Sequence, residues 1–407
     1  MKKCYFAAFL LFFIFIGYSQ ESKKDYSESF NLIEVWLEAQ KDFEQLPGIS
    51  AIIIDDQEVL WTGAYGMANV GKNVETEPST LYSICSISKL FTSVAIMKLY
   101  DEGKLRLDDE IGDLLPWYDL KQQYPQSGPI TIRGILTHSS GLPREANFPY
   151  WTSPDFPFPS REQIKAELSE QQTLYPSSTY FQYSNLGLSL LGEVIEEVSG
   201  VPYDKYIYEN ILEPLGMNNT LTELPESKYG NTLAVGYGAI TREGKREKIK
   251  MFQAKGIKPA AGYSSNVYDL GKLASWQFRL MHSAETEILK SSTLKNMHNV
   301  HWIDPDWETT WGLGFNVYKG SDGDKWVGHG GCCPGYRTAL RLNTKSKKAY
   351  SVMINANGTT PDKYVKGIHH ILCEAEVAQE ESTSSNKDFK EYCGYYTEQP
   401  WYAEVYI

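Results

Sequence analysis

Ser86-Ile87-Ser88-Lys89 places a hydroxyl and an amine three positions apart, directly after the strand-like Leu81-Tyr82 and at the start of a run with helical spacing. On a helix the two side chains leave the same face, so the lysine nitrogen reaches the serine oxygen. At a helix start the lysine feels the positive end of the dipole, and its apolar neighbours Ile87, Leu90 and Phe91 desolvate it. Both effects disfavour the ammonium and push the pKa down. A neutral amine is a base at neutral pH, and the serine it deprotonates becomes a nucleophile. Taken alone, Ser-x-x-Lys also has a plainer reading, a capping serine followed by a surface lysine.

A second group is Tyr183-Ser184-Asn185, just before the helix-patterned Leu186 to Val198. A phenol beside an ammonium can be held as phenolate, a strong general base, and an Asn amide both donates to and accepts from a substrate amide. The plainer reading is a core tyrosine and a helix-capping Asn. A third group is Gly328-His329-Gly330-Gly331-Cys332, on a strand. Gly330 and Gly331 let a substrate backbone lie against the strand edge, and the following N–H, that of Cys332, can join the N–H of Ser86 as an oxyanion hole.

The elements that must position these groups are legible from periodicity. Phe30 to Phe43 has apolar residues at helical spacing and is stopped by Pro47-Gly48. Ile49 to Ile54 and Val59 to Met67 form a hairpin about the polar turn Asp55 to Glu58, and Ser86 to about Asp101 is a helix closed by Gly103. Residues 105–285 are mostly short helices and turn-rich loops, with clear helices ending at Gly200, beginning at Pro202, and running from about Val267 to Met281. Antiparallel strands follow at Gly312 to Lys319, Lys325 to His329, Tyr336 to Leu342 and Ala349 to Asn355, then a closing helix from Pro361 to Glu374. The expected fold class is α+β, an antiparallel sheet flanked by helices with an inserted, mainly helical domain. The sheet domain takes 20–80 and 286–375 and the insert 81–285; 376–389 is a polar linker with little reason to pack, and 390–407 starts a possible truncated β module.

The chain has 407 residues, 42% of them apolar, which suffices for a large core and excludes disordered and fibrous classes. Lys and Arg number 39 against 51 Asp and Glu, a net charge of −12. That balance disfavours nucleic acid and anionic lipid as partners and fits a small-molecule or peptide substrate. Met1-Lys2-Lys3, the apolar run Cys4 to Ile16 and the small-residue end Gly17-Tyr18-Ser19 read as a secretory signal over 1–19. The run is shorter than the roughly 20 residues a bilayer-spanning helix needs, so an exported, periplasmic or extracellular protein without a stable membrane anchor is expected. The five cysteines beyond the leader make no disulfide framework; Cys373 and Cys393 are a possible pair. No His-x-His-x-Asp, His-Glu-x-x-His, Gly-x-Ser-x-Gly or P-loop pattern occurs, so no metal, no cofactor and no α/β-hydrolase elbow is expected. His138 reads as a structural histidine and His369-His370 as helix surface. Oligomeric state is not encoded in any of these patterns.

The order Ser-x-x-Lys, Tyr-x-Asn, His-x-Gly, spaced by roughly 100 and then roughly 140 residues, resembles the serine β-lactamase-like family of class C β-lactamases, D-alanyl-D-alanine carboxypeptidases, D-aminopeptidases and carboxylesterases. Leu136 to Leu142 (LTHSSGL), Glu213 to Met217 (EPLGM) and Ala260 to Ser265 (AAGYSS) agree with it, and the resemblance covers about 30–375. It implies that Ser86 is the acylated nucleophile, Lys89 its activator, Tyr183 the base for acylation and deacylation, Asn185 a substrate-amide contact and His329 part of the wall. It also implies an oxyanion pair at the backbone N–H groups of Ser86 and Cys332, and the same fold. Many relatives carry Lys-Thr-Gly where this chain has His329-Gly330-Gly331, which removes a permanent charge and a hydroxyl that hold a substrate carboxylate. Arg337 is a candidate replacement beside an ordinary reading as an exposed strand residue, and Glu213-Pro214 reads as a structural turn. The expectation is an exported serine hydrolase acting on an ester or amide, with a slowly acylating or non-catalytic penicillin-binding-type sensor as the alternative.

Overall fold

The computed structural model describes residues 24–384, together with 395–396 and 405–406. The expected leader, Cys393 and most of the expected C-terminal module lie outside the described residues. In chain order the elements that build the site are helix α1 (Ser27–Phe43), strands β1 (Gly48–Asp55), β2 (Glu58–Asn69) and β3 (Val74–Glu75), and helices α2 (Ser88–Asp101), α3 (Asn185–Ser199) and α4 (Val267–Met281). They continue as β4 (Trp302–Ile303), β5 (Thr310–Trp311), β6 (Asn316–Lys319), β7 (Lys325–Cys333), β8 (Tyr336–Asn343), β9 (Lys348–Ile354) and helix α5 (Pro361–Ser384).

The nine strands form one sheet in the order β4-β5-β6-β7-β8-β9-β1-β2-β3, with every neighbour antiparallel. Strands from the two ends of the chain meet where β1 pairs with β9, from Ile49 opposite Ile354 to Asp55 opposite Lys348. Successive side chains on a strand point to opposite faces. On β1, Ile49, Ala51 and Ile53 therefore join Ile33 and Leu37 of α1 and Tyr364, Ile368 and Leu372 of α5 in one buried cluster. Ile52 and Ile54 face the other way, into a larger cluster with Leu270 and Leu273 of α4 and the apolar residues of α2. A strand covered on both faces reads as the continuous apolar run seen here. Each such side chain contributes about 1.5–3 kcal/mol on burial.

Three boundaries differ from the sequence reading. Helix α4, placed in the insert by a boundary at 285, packs on the sheet; a Cβ at Gly271 would lie 2.9 Å from Ile54 Cδ1, so glycine permits the close approach. Strand β7 runs past His329 to Cys333, because Thr338 and Arg337 on β8 pair with Gly331 and Cys332. Helix α5 continues through the segment read as a linker to Ser384, where Glu376 accepts from Tyr26 at 2.6 Å and pairs with Lys348 at 3.0 Å. No helix among the described residues is long and apolar enough to cross a membrane.

Candidate active site

The chain enters α2 through one tight turn, Cys85–Ile87, with Cys85 in the left-handed region at φ 53°. That conformation is unfavourable for a residue with a Cβ and needs external support. The support is dense. Ile84 N–H donates to the Tyr263 carbonyl at 2.9 Å, Thr338 Oγ1 donates to the Ile84 carbonyl at 3.1 Å, and Ser88 Oγ donates to the Cys85 carbonyl at 2.5 Å. A disulfide joins Cys85 to Cys333. The sequence left the pairing of the cysteines open beyond the possible Cys373–Cys393 pair and offered no spacing signal for this one; among the described residues Cys332 and Cys373 form no disulfide.

Helix α2 is buried on nearly all sides, from Ser88 and Lys89 through Leu99. A helix apolar all round belongs inside a protein, and here it carries one lysine into the core. Lys89 is 1% exposed, and its Nζ lies 3.1 Å from Ser86 Oγ, 2.7 Å from Asn185 Oδ1 and 2.7 Å from the Ala260 carbonyl. Burial pushes its pKa well below the usual lysine value; Glu145 opposes that shift and Arg144 adds to it. A neutral amine has two hydrogens and one lone pair. The Asn185 and Ala260 oxygens can only accept, so they take the hydrogens and the lone pair is left for the Ser86 hydroxyl.

Tyr183 and Asn185 arrive on the turn into α3, where Ser184 Oγ accepts from Gly187 N–H at 2.8 Å. The cap is thus Ser184, which frees Asn185 for the site. The Tyr183 phenol faces Ser86, and its ring centroid is 4.8 Å from Lys89 Nζ. Burial pushes this phenol above its ordinary value. The phenolate expected from a neighbouring ammonium is therefore not the resting form, because burial disfavours both charges, the phenolate and the ammonium that would hold it. His138 supports this corner, its Nδ1 accepting from Ser184 N–H at 3.2 Å and its ring 4.3 Å from that of Tyr183.

His329 closes the far wall, its ring 6.2 Å from Tyr183 and 5.6 Å from Trp311. Its Nδ1 is 2.6 Å from the Gly330 carbonyl, which can only accept, so Nδ1 carries the hydrogen and Nε2 presents a lone pair. Among the described residues that Nε2 has no partner. Burial, then repulsion from Lys89, lowers the imidazole to about 3, so His329 adds no positive charge at neutral pH. Strand β6 pairs with β7 only as far as Gly328, which leaves the same edge of residues 329–333 without a paired strand among the described residues. The Pro334-Gly335 turn closes on the Cys333–Tyr336 pair, so by antiparallel alternation Cys332 occupies a site whose N–H points away from β8, toward that free edge. Arg337 lies opposite Cys332 on β8, and its Nε is buried without a partner among the described residues.

The geometry thus brings Ser86, Lys89, Tyr183, Asn185, His329 and the Gly330-Gly331-Cys332 edge together. It also adds a residue that sequence reasoning passed over. Asn185 Nδ2 donates to Glu145 Oε1 and Oε2 at 2.8 and 3.0 Å, so the amide expected to meet substrate already has a partner. Glu145 follows Gly-Leu-Pro-Arg in an irregular loop, and nothing local in the sequence marks it. Among the described residues no cluster of His, Cys, Asp and Glu could hold a metal ion.

A family model for Beta-lactamase matches residues 36–371. The chain belongs to the Beta-lactamase family. Beta-lactamase-like protein 2 of Dictyostelium discoideum is 29% identical over 330 residues, 80% of this chain and 58% of that protein. The chain spans little more than half the length of the curated relatives it matches first. The octameric penicillin-binding protein homologue from Pyrococcus abyssi is 30% identical, with a TM-score of 0.71 over 82% of this chain and 75% of that one. The Beta-lactamase/D-alanine carboxypeptidase from Yersinia pestis is 21% identical and shares the fold, with a TM-score of 0.69 over 86% of this chain and 99% of that one. Family membership and the structural matches show the α+β, β-lactamase/transpeptidase-type fold.

Proposed function

We propose that the protein is an exported serine hydrolase that cleaves an ester or amide through an acyl-enzyme on Ser86. The observation that carries the reading is the buried Lys89 amine 3.1 Å from the Ser86 hydroxyl, with its other two partners both acceptors. Ser86 Oγ attacks the substrate carbonyl carbon while its proton passes to Lys89 Nζ. The oxygen that becomes negative is held by the N–H groups of Ser86 and Cys332. As the tetrahedral adduct collapses, the bond to the leaving group breaks, the neutral Tyr183 phenol donates its proton to that group, and Lys89 returns a proton to Tyr183. Water then attacks the acyl ester, gives its proton to Lys89, and releases the acid as Ser86 regains its hydrogen.

The free edge of β7 and the paired glycines suit a substrate whose backbone lies extended beside residues 329–333. With a neutral imidazole in place of a permanent cation, the site has less hold on a terminal carboxylate, which favours uncharged acyl groups. The deciding experiment exposes purified protein to a fluorophosphonate and to a penicillin and maps adducts by mass, alongside hydrolysis of p-nitrophenyl esters, nitrocefin and D-Ala-D-Ala peptides. Fluorophosphonate labelling of the Ser86 peptide with turnover of one substrate class is expected. A penicillin adduct that persists without any turnover would favour the sensor reading, and no adduct with either probe would reject both.

A further inference from the structure

We propose that Glu145 is a positioning residue that fixes which way round the Asn185 amide sits and so keeps the Lys89 amine aimed at Ser86, an inference that rests on the acyl-transfer reading above. The amide has unlike ends. Its Nδ2 is held by both Glu145 oxygens at 2.8 and 3.0 Å, and its Oδ1 accepts from Lys89 at 2.7 Å. Rotating the amide by half a turn would set Oδ1 against a carboxylate, two acceptors with no hydrogen between them, and Nδ2 against the amine. Lys89 would then spend its lone pair on Nδ2, and Ser86 would lose its base. The carboxylate is what makes that arrangement unfavourable.

Glu145 is itself anchored. Tyr150, whose side chain is fully buried, donates its hydroxyl hydrogen to Oε2, Arg144 Nε donates to Oε1 at 3.1 Å, and Gln171 Nε2 donates to the Glu145 carbonyl at 3.0 Å. The Glu145 side chain is 21% exposed and that of Arg144 58%. Arg144 stands with its guanidinium carbon 4.9 Å over the Tyr183 ring. The groups facing Lys89 are Asn185 from α3, the Ala260 carbonyl from the short helix Lys258–Ala261, the Tyr183 phenol, the neutral imidazoles of His138 and His329, and this charged pair. Tyr203, bonded to Thr92, and Tyr263, packed on Phe91, lie against α2 farther from the site and are held protonated by burial. Glu145 and Arg144 are thus the opposed charges that set the field at the amine.

The test compares Glu145→Gln, Glu145→Ala and Arg144→Ala with the parent protein, using NMR titration of 13Cε-labelled lysine, the pH profile of p-nitrophenyl ester hydrolysis, and thermal melting. Glu145→Gln should move the Lys89 titration to lower pH by roughly half a unit or more, and Arg144→Ala should move it to higher pH. The acid limb of hydrolysis should follow each shift. Glu145→Ala should lower plateau kcat roughly tenfold to a hundredfold with KM little changed. Unaltered titration and kcat in both Glu145 variants would overturn the proposal. If Glu145→Ala does not fold, Glu145→Gln decides alone. If the parent hydrolyses no ester or amide and takes no adduct from fluorophosphonate or penicillin, the acyl-transfer reading fails, while the lysine titration in Glu145→Gln still decides whether Glu145 governs this amine.

Discussion

Cys85 and Cys333 are bonded one residue before Ser86 and one residue after Cys332, so a single covalent link ties together the two backbone segments whose N–H groups the proposed mechanism assigns to the reacting oxygen. The bridge spans a sequence separation of 248 residues. Constraining so long a loop in the unfolded chain stabilises the fold by about 2–5 kcal/mol. The double variant Cys85→Ala/Cys333→Ala should therefore melt at a lower temperature. It should also lose kcat more than KM, since the oxyanion groups act in the transition state. Melting curves and ester kinetics with and without dithiothreitol check this; a parent protein indifferent to the reductant, with its bridge shown to be opened by thiol counting, would contradict it.

In the proposed mechanism Lys89 supplies the base, so Lys89→Met should reduce hydrolysis by about 10^2- to 10^4-fold while far-ultraviolet circular dichroism stays unchanged. In the parent, activity should rise with pH through the lowered folded-state pKa of the amine and then level off. Stability carries the same signature. Between the folded-state value and the usual lysine value the unfolded chain binds one more proton, so unfolding free energy rises with pH by up to about 1.4 kcal/mol per unit. Lys89→Met should lose that slope in urea titrations across the window.

Burial holds Tyr183 as a neutral phenol, the form that the proposed mechanism uses as a proton donor to the departing group. Tyr183→Phe should then depend on leaving-group basicity. Alkyl esters and anilides, whose leaving groups need a proton, should slow by about 10^2-fold or more, and p-nitrophenyl esters much less. Equal losses across the series would assign Tyr183 a different role.

Gly331 and Gly330 offer a matched pair. A Cβ on Gly331 would overlap the Thr338 hydroxyl oxygen and the Ile84 carbonyl oxygen and lie 3.2 Å from Cys85 Cβ. On Gly330 it would meet only Arg341 Nη2 at 3.4 Å and the Thr338 carbonyl oxygen at 3.7 Å. Gly331→Ala should push the strand from Ser86 and abolish most activity, with a destabilisation of about 1–3 kcal/mol. Gly330→Ala should fold normally, and its kinetics with substrates of graded bulk will show how closely the acyl donor approaches that edge.

The parts of the site that announce themselves locally were legible in the sequence. Ser86 and Lys89 lie three positions apart across the turn into α2, and Tyr183 and Asn185 sit at a helix start, so spacing alone puts them on usable faces. What escaped depends on contacts distant in sequence. Cys85 and Cys333 meet only because β7 packs on the turn before α2. Glu145 is placed by Tyr150 and Asn185 rather than by any pattern of its own. The strand expected over Lys325 to His329 is kept extended to Cys333 by pairing with β8, and the polar composition after Glu374 hides the two partners of Glu376 that hold α5 in place.

The sheet's closure across β1 and β9 has a consequence for how the protein comes into being. Ile49 and Ile354 are neighbours in space but lie at opposite ends of the order of synthesis. Closing so large a loop before its contacts are rewarded is slow. A nascent chain already holds Ser86, Lys89, Tyr183 and Glu145 long before the edge that would cradle a carbonyl oxygen exists, so the ribosome-bound protein is chemically mute until its last third emerges.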